Sequence, residues 1–263
     1  MFPMLPGPCE AATAPVDDSE VSEDGLLDGR VRLFQPRHGY RVAIDPVLLA
    51  AATRGGSGAA VLDAGAGSGA AALCLAARCP ELRITGLERD PALLALARRS
   101  VAANGLAERV DLVEGDLLAP PAALRAHSFD AVMTNPPFHP VAAASAPATA
   151  TRAAAHLATV APAAWIAACL ARLRPGGELT LIHRADALDA ILAALMGVAG
   201  AVRVCPLWPR AGVPARRVLV AARKGARAPL RLLPGLVLHA ADGGFTPAAD
   251  AILRQGADLP LSA

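Results

Sequence analysis

Asn135 is followed by Pro136, Pro137 and Phe138, which puts a side-chain amide in a stiff loop beside an aromatic ring. A proline donates no backbone hydrogen bond and pushes the residue before it into an extended conformation. An amide oxygen fixed in this way accepts an N–H from a planar nitrogen group. The carbonyl of Pro136 takes a second N–H, and the Phe138 ring stacks on the plane. Such an arrangement suits a conjugated amine, whose delocalised lone pair makes it a poor nucleophile until it is held and aimed. No general base is evident, and a neutral acceptor orients the amine without becoming protonated, so the proton leaves to water. His139 adjoins the motif but has no identifiable partner, and it reads as a loop residue.

A second constellation lies upstream. "VLDAGAGSGAA" sets Asp63 before Gly65, Gly67 and Gly69 at the end of an apolar run. Glycines at a strand-to-helix turn let the backbone approach a ligand closely, and the helix start offers free N–H groups. Nineteen residues beyond Gly69, Glu88 ends the next apolar run, where a carboxylate accepts two hydrogen bonds from a ribose diol. Asp116, in "EGDLL", is placed to receive the exocyclic amine of an adenine. These residues call for a nucleoside-type cofactor, and Gly65, Gly67 and Ala70 also satisfy the GxGxxA spacing of a dinucleotide turn.

The elements that must position these groups are legible as alternating apolar runs and helical stretches. Strands are expected at 59–63, 82–88, 110–114, 129–134, 178–183, 201–208 and 215–222. Helices are expected near 46–53, 69–78, 91–104, 161–173 and 186–198. Asp45 reads as an N-cap and Pro46 as the first helical position. Unbroken apolar strands separated by helices predict an α/β fold of Rossmann-like type, a mostly parallel seven-stranded sheet with helices on both faces. Asn135 then stands at the carboxyl end of the strand beside the first one, facing the same crevice as the glycines. Residues 1–25 are expected to be a disordered acidic segment, 26–58 a hairpin and helix, 59–225 the core, and 226–263 an extension packed on it.

Composition excludes several classes. The 263 residues are 54% hydrophobic, which excludes disorder throughout. No run of 18 apolar residues predicts a membrane span, and "MFPMLPGPCEAATA" does not read as a secretory signal. Cys9, Cys74, Cys79, Cys169 and Cys205 show no metal-ligand spacing, which favours reduced thiols in a cytoplasm and no metal site. The net charge of +2 hides an asymmetry. Seven acids and no base lie in residues 10–28, whereas Arg203, Arg210, Arg216, Arg217, Arg223, Lys224, Arg227 and Arg231 lie in 190–241 without one acid. The basic run reads either as a solvated sheet edge or as a nucleic-acid-facing patch.

The ordered pair Asp63-Ala-Gly65-Ala-Gly67-Ser-Gly69 and Asn135-Pro136-Pro137-Phe138 resembles the class I S-adenosylmethionine-dependent methyltransferases that methylate a planar nitrogen. "RVRLFQPRHGYRVAIDPVLLAA", "TNPPFH" and "LRPGGELTLIHR" are similar to the bacterial valine tRNA adenine-37 N6-methyltransferase family. The resemblance implies S-adenosylmethionine bound by Asp45, Asp63, Gly65, Gly67, Gly69, Glu88, Asp116 and Asn135, with Asn135, Pro136, Pro137 and Phe138 catalytic. It implies that Gln35, Tyr40, Arg41 and Asp45 belong to a segment closing over the cofactor, and that the substrate is an RNA adenine, in tRNA next to the anticodon. That partner points to Arg210, Arg216, Arg217, Arg223 and the hairpin from Arg30 to Arg41 as phosphate contacts. "GAGSGAAAL" departs from relatives with a bulkier residue after the second glycine.

Other readings remain. Release-factor glutamine N5-methyltransferases share an NPP motif but favour NPPY and carry an N-terminal helical domain for which the short acidic N-terminus leaves no room. Guanine N2-methylation of ribosomal RNA is a further enzyme reading. A non-catalytic methyltransferase-fold binding partner predicts a damaged glycine turn or NPPF, and a dehydrogenase does not account for NPPF.

Overall fold

The computed structural model describes residues 18–39, 41–136 and 162–261. Two strands, β1 (Val21–Leu26) and β2 (Val31–Pro36), form an antiparallel hairpin. Most of β1 falls inside the segment expected to be disordered. Two of the acids that suggested disorder have partners across the hairpin. Glu23 Oε1 accepts from Arg32 Nε at 2.6 Å, and Asp24 accepts from Arg41 Nη2 at 2.9 Å. Residues 21–26 of the acidic run are therefore one strand of a charge-paired ribbon, with Val21 and Phe34 buried beneath it.

Helix α1 (Asp45–Ala52) follows, with Pro46 in its first turn. Ile44 occupies the cap position and no side chain caps the helix, so Asp45 is its first residue and not its N-cap. Its carboxylate is engaged elsewhere, as described below.

The main sheet contains β3 (Ala60–Ala64), β4 (Arg83–Glu88), β5 (Val110–Glu114), β6 (Phe129–Thr134), β7 (Leu173–Arg184), β8 (Ala199–Trp208) and β9 (Arg217–Lys224). Their order is β5-β4-β3-β6-β7-β9-β8. All neighbours from β5 to β7 are parallel, and β9 is antiparallel to both β7 and β8. The seven expected strands are thus present, and two further strands of two residues each, β10 (Arg231–Leu232) and β11 (Leu236–Val237), extend the sheet along β8 to nine. These additions are too short to leave a periodic signal in the sequence.

Successive side chains along a strand face opposite layers, and the core divides accordingly. Val61, Met133 and Leu219 pack with α1, α2 (Ala70–Arg78), α3 (Pro91–Ala103) and α7 (Pro247–Leu253). Leu62, Val132 and Val220 pack with α4 (Ala122–Arg125), α5 (Pro162–Arg172) and α6 (Leu188–Leu195). Leu62, Leu73, Leu94 and Leu124 are each fully buried, contributing about 1.5–3 kcal/mol apiece. Among the described residues no helix is long and apolar enough to cross a membrane.

The chain runs outward from β3 through β4 to β5, then returns so that β6 lies on the other side of β3. Strand order reverses between β3 and β6, which opens a crevice at their carboxyl ends.

Candidate active site

The glycine turn occupies that crevice. Gly65 and Ala66 donate their N–H groups to Leu87 O at 2.9 Å, and Gly69 donates to Ala66 O at 2.9 Å. Gly65, Gly67 and Gly69 all have positive φ, at 77°, 57° and 87°. Their surroundings differ. A Cβ on Gly65 would approach the Trp165 ring at 3.1 Å and one on Gly69 the Ala97 Cβ at 3.3 Å, whereas among the described residues one on Gly67 would meet nothing within 4 Å. Gly65 and Gly69 are small because protein packs against them. Gly67 faces open space, a cradle that a side chain would fill.

Glu88, at the end of β4, ties this turn to the next helix. Its Oε2 accepts from Gly67 N at 2.8 Å, and its Oε1 accepts from Arg89 N and Asp90 N at 2.9 Å. Asp90 caps α3 by accepting from Ala92 N at 2.8 Å, with Pro91 first in the helix. Oε1 thus accepts twice, and Oε2 keeps capacity for one further donor such as a ribose hydroxyl. Beyond β5, Gly115 N donates to Glu88 O at 2.9 Å, and Asp116 Oδ1 accepts from Leu118 N at 2.9 Å. Asp116 is thereby held at the crevice by its own tight turn.

Asp63 lies behind the turn. It is 2% exposed, and its Oδ2 accepts from Ala72 N at 3.1 Å, near the start of α2. Burial raises its pKa to about 7, against the Ala72 hydrogen bond that lowers it, and the Glu88 charge raises it further. Asp63 thus fixes the turn from within the protein.

Asn135 comes directly after the register pair Ala64↔Thr134, beside Gly65. Its Oδ1 is buried with no hydrogen-bond partner among the described residues, and Pro136 is buried next to it. A buried acceptor left unsatisfied costs about 1–3 kcal/mol, so this oxygen suits an incoming donor. Pro137, Phe138, His139 and Tyr40 lie outside the described residues.

Two residues that sequence reasoning missed brace this point. Thr134 Oγ1 donates to Ala64 O at 2.7 Å and accepts from Trp165 Nε1 at 2.9 Å. The indole therefore spans β3, β6 and the glycine turn. An indole N–H on the inner face of a helix is the only sequence signal for it.

Gln35 and Arg41 act as clasps. Gln35 Oε1 accepts from Val42 N at 2.8 Å, its Nε2 donates to Asp24 at 2.8 Å, and Arg41 donates to the same carboxylate. The hairpin is thereby tied to the segment entering α1. Asp45 does not face a ligand freely. Its carboxylate is only 13% exposed and accepts from Arg217 Nε at 2.9 Å, joining α1 to β9.

The basic run does not form one patch. Arg217 pairs with Arg184 of β7 at the crevice end, whereas Arg223 pairs with Glu178 at the other end. Six residues of strand, about 20 Å, separate them. In the hairpin, Arg30 donates to Leu27 O and Arg254 O, Arg32 is held by Glu23 and Arg41 by Asp24. Among the described residues, the guanidinium groups of Arg37, Arg210 and Arg216 are exposed and make no ion pair or hydrogen bond.

The profile of the methyltransferase small domain family matches residues 46–203, spanning the glycine turn, Glu88, Asp116 and Asn135. The chain belongs to that family. As a class I methyltransferase it takes S-adenosylmethionine as methyl donor. The tRNA1(Val) (adenine(37)-N6)-methyltransferase of Aeromonas hydrophila is 32% identical over 213 residues, covering 80% of this methyltransferase and 87% of that one. The release factor glutamine methyltransferase of Geobacter sulfurreducens is 39% identical over 107 residues, 41% of this chain, which spans about a third of that enzyme's length (34%). The crystal structure of a predicted O-methyltransferase from Agrobacterium tumefaciens superimposes with a TM-score of 0.69 at 28% identity, covering 83% of this chain and 100% of that one. The resemblance read from the glycine turn and the Asn135 motif therefore holds. The open cradle at Gly67, the carboxylate of Glu88 and the orphaned oxygen of Asn135 fit an adenosyl ligand beside an amine.

Proposed function

We propose that this chain methylates the N6 amine of an adenine in tRNA, next to the anticodon. The observation that carries the reading is the buried Asn135 Oδ1, without a partner among the described residues, at the switch point of a methyltransferase sheet. S-adenosylmethionine supplies an electrophilic methyl group on a sulfonium. Gly67 leaves room for it, Glu88 accepts from its ribose, and Asp116 receives its adenine amine.

On the substrate side, Asn135 Oδ1 accepts one N–H of the target amine and the Pro136 carbonyl accepts the other. Phe138 is the proposed stacking platform. Together these groups concentrate electron density on the nitrogen and aim its lone pair, so that orientation is the main catalytic device. Asn135 stays neutral, and the proton leaves to water once the N–C bond has formed and the S–CH3 bond has broken, its electron pair staying on sulfur as a neutral thioether. A base in an anticodon loop is presented without the cost of opening a duplex. Arg37, Arg210 and Arg216 are the proposed phosphate contacts beside the crevice; Arg217 is engaged by Asp45, and Arg223 lies at the other end of the sheet. A tRNA substrate and the buried thiols of Cys74, Cys169 and Cys205 both suit a cytoplasmic setting.

Glutamine methylation is the second reading, since an amide nitrogen is also planar and the release-factor enzymes match the core. Coverage of nearly the whole tRNA enzyme, against a third of the release-factor enzyme, supports adenine. Labelled S-adenosylmethionine incubated with RNA and protein fractions from a strain lacking the gene separates the two. Label in tRNA supports the proposal, and label confined to protein refutes it.

A further inference from the structure

A cleft of about 560 Å³ lies at the opposite end of the sheet, where β3 and β6 begin and β9 ends. Phe129 to Thr134 spans about 17 Å at about 3.3 Å per residue, so the cleft is remote from Asn135. Four arginines line it, Arg54, Arg174, Arg203 and Arg223, against two carboxylates, Asp130 and Glu178.

Both carboxylates are already committed. Asp130 pairs with Arg174 and accepts from Ala60 N at 2.8 Å. Glu178 Oε2 accepts from Arg203 Nη2 at 2.6 Å. The Arg203 side chain is 13% exposed, and its Nε is buried with no acceptor among the described residues. Arg223 stands directly across from Glu178 in the strand register yet makes no ion pair among the described residues. Arg54 reaches only the exposed Asp258, at 3.7 Å, and Asp258 is shared with Arg78.

The loop along one wall adds neutral donors. Among the described residues, the N–H groups of Gly55, Gly56, Ser57 and Gly58 serve no hydrogen bond, and a Cβ on Gly56 or Gly58 would meet nothing within 4 Å. Unspent backbone N–H groups beside surplus guanidinium groups are the donor set of a phosphate site. The volume lies within the range of small-molecule pockets.

We propose that this cleft binds phosphate groups, at a site separate from the methyl-transfer crevice. The shared chemistry is the phosphate oxyanion, and its source is either a free phosphorylated molecule or the backbone of the RNA. The inference stands apart from the identity of the methyl acceptor, because its test needs no turnover.

The full chain is titrated with inorganic pyrophosphate by calorimetry at low salt, and separately with an unmodified tRNA transcript by filter binding. Arg223→Gln and Arg54→Gln are compared with the parent. Both positions are exposed, and a thermal melt checks that the variants fold. Saturable pyrophosphate binding, weakened about tenfold in each variant while S-adenosylmethionine affinity stays at the parent value, is the expected result. If tRNA affinity also falls and pyrophosphate competes with tRNA, the phosphate belongs to RNA. If tRNA affinity holds, it belongs to a free molecule. The proposal is overturned if neither pyrophosphate affinity nor tRNA affinity changes in either variant.

Discussion

At the scale of single residues, the buried Asn135 Oδ1 has no hydrogen-bond partner among the described residues, and it is the group proposed to hold the amine. Asn135→Ala removes the acceptor that orients the amine but leaves the glycine turn intact. Turnover is expected to fall about a hundredfold or more, on the order of 3 kcal/mol, with S-adenosylmethionine affinity unchanged. Single-turnover kinetics beside calorimetry check it, and parent-like turnover would remove Asn135 from catalysis. Gly67→Arg tests the other half of the site. At φ 57° a side chain costs about 1–2 kcal/mol, and its Cβ meets no protein atom, so the fold survives while the cradle fills. Calorimetry should find no S-adenosylmethionine binding to this folded variant, and normal binding would place the cofactor elsewhere. Asp63 carries a pH prediction. Its folded pKa of about 7 stands above the ordinary 3.8, so between about pH 4 and 7 the unfolded chain releases a proton that the native state keeps. Its contribution to stability therefore falls as pH rises through that window, by up to about 1.4 kcal/mol per unit. Asp63→Asn should flatten the decline in urea midpoint between pH 5 and 7, and an unchanged decline would deny that Asp63 titrates there. That Asn135, Gly67 and Glu88 meet at one crevice was legible because each lies at a strand end within a local motif. Trp165 and Thr134 were not, because their hydrogen bond joins residues 31 apart across two elements.

At the scale of elements, the parallel strands were readable because burial on both faces makes them continuous apolar runs. The hairpin was expected, but its first strand was placed within the acidic segment for an electrostatic reason. Glu23 and Asp24 look like a solvated acidic run until β2 supplies Arg32 and the following segment Arg41. The Arg32 guanidinium beside Glu23 holds that carboxyl below its usual range. The same cross-element pairing decides which arginines are free for RNA. Arg217 belongs to Asp45, whereas Arg216, in the bend just before β9, is exposed. Arg216→Gln should therefore reduce the slope of log affinity for tRNA against log salt by about one, with little loss of stability. Arg217→Gln should leave that slope near the parent value and lower thermal stability, since it strands Asp45. Filter binding across a salt series and a thermal melt distinguish them. Equal slopes in Arg216→Gln and the parent would reduce Arg216 to a solvated edge residue.

At the scale of the whole molecule, the sheet has two ends with different tasks. Its carboxyl end collects the glycine turn, Glu88, Asp116 and Asn135 from four strands, and this convergence follows from the reversal of strand order between β3 and β6. Its other end collects Arg54, Arg174, Arg203 and Arg223 from a loop and three strands. The basic run that reads as one patch in the sequence is divided between these ends because β9 runs antiparallel and carries Arg217 and Arg223 about 20 Å apart. No one-dimensional spacing reports that division. The central claim is that the crevice presents an adenine amine to the methyl donor, and nucleoside analysis tests it most directly. The purified chain is incubated with S-adenosylmethionine and an unmodified tRNA transcript, and the RNA is digested to nucleosides for mass spectrometry. The account predicts N6-methyladenosine from the parent chain, reduced at least about a hundredfold with Asn135→Ala. Methyl groups found on guanine N2, or only on glutamine when a release factor is supplied, would contradict it.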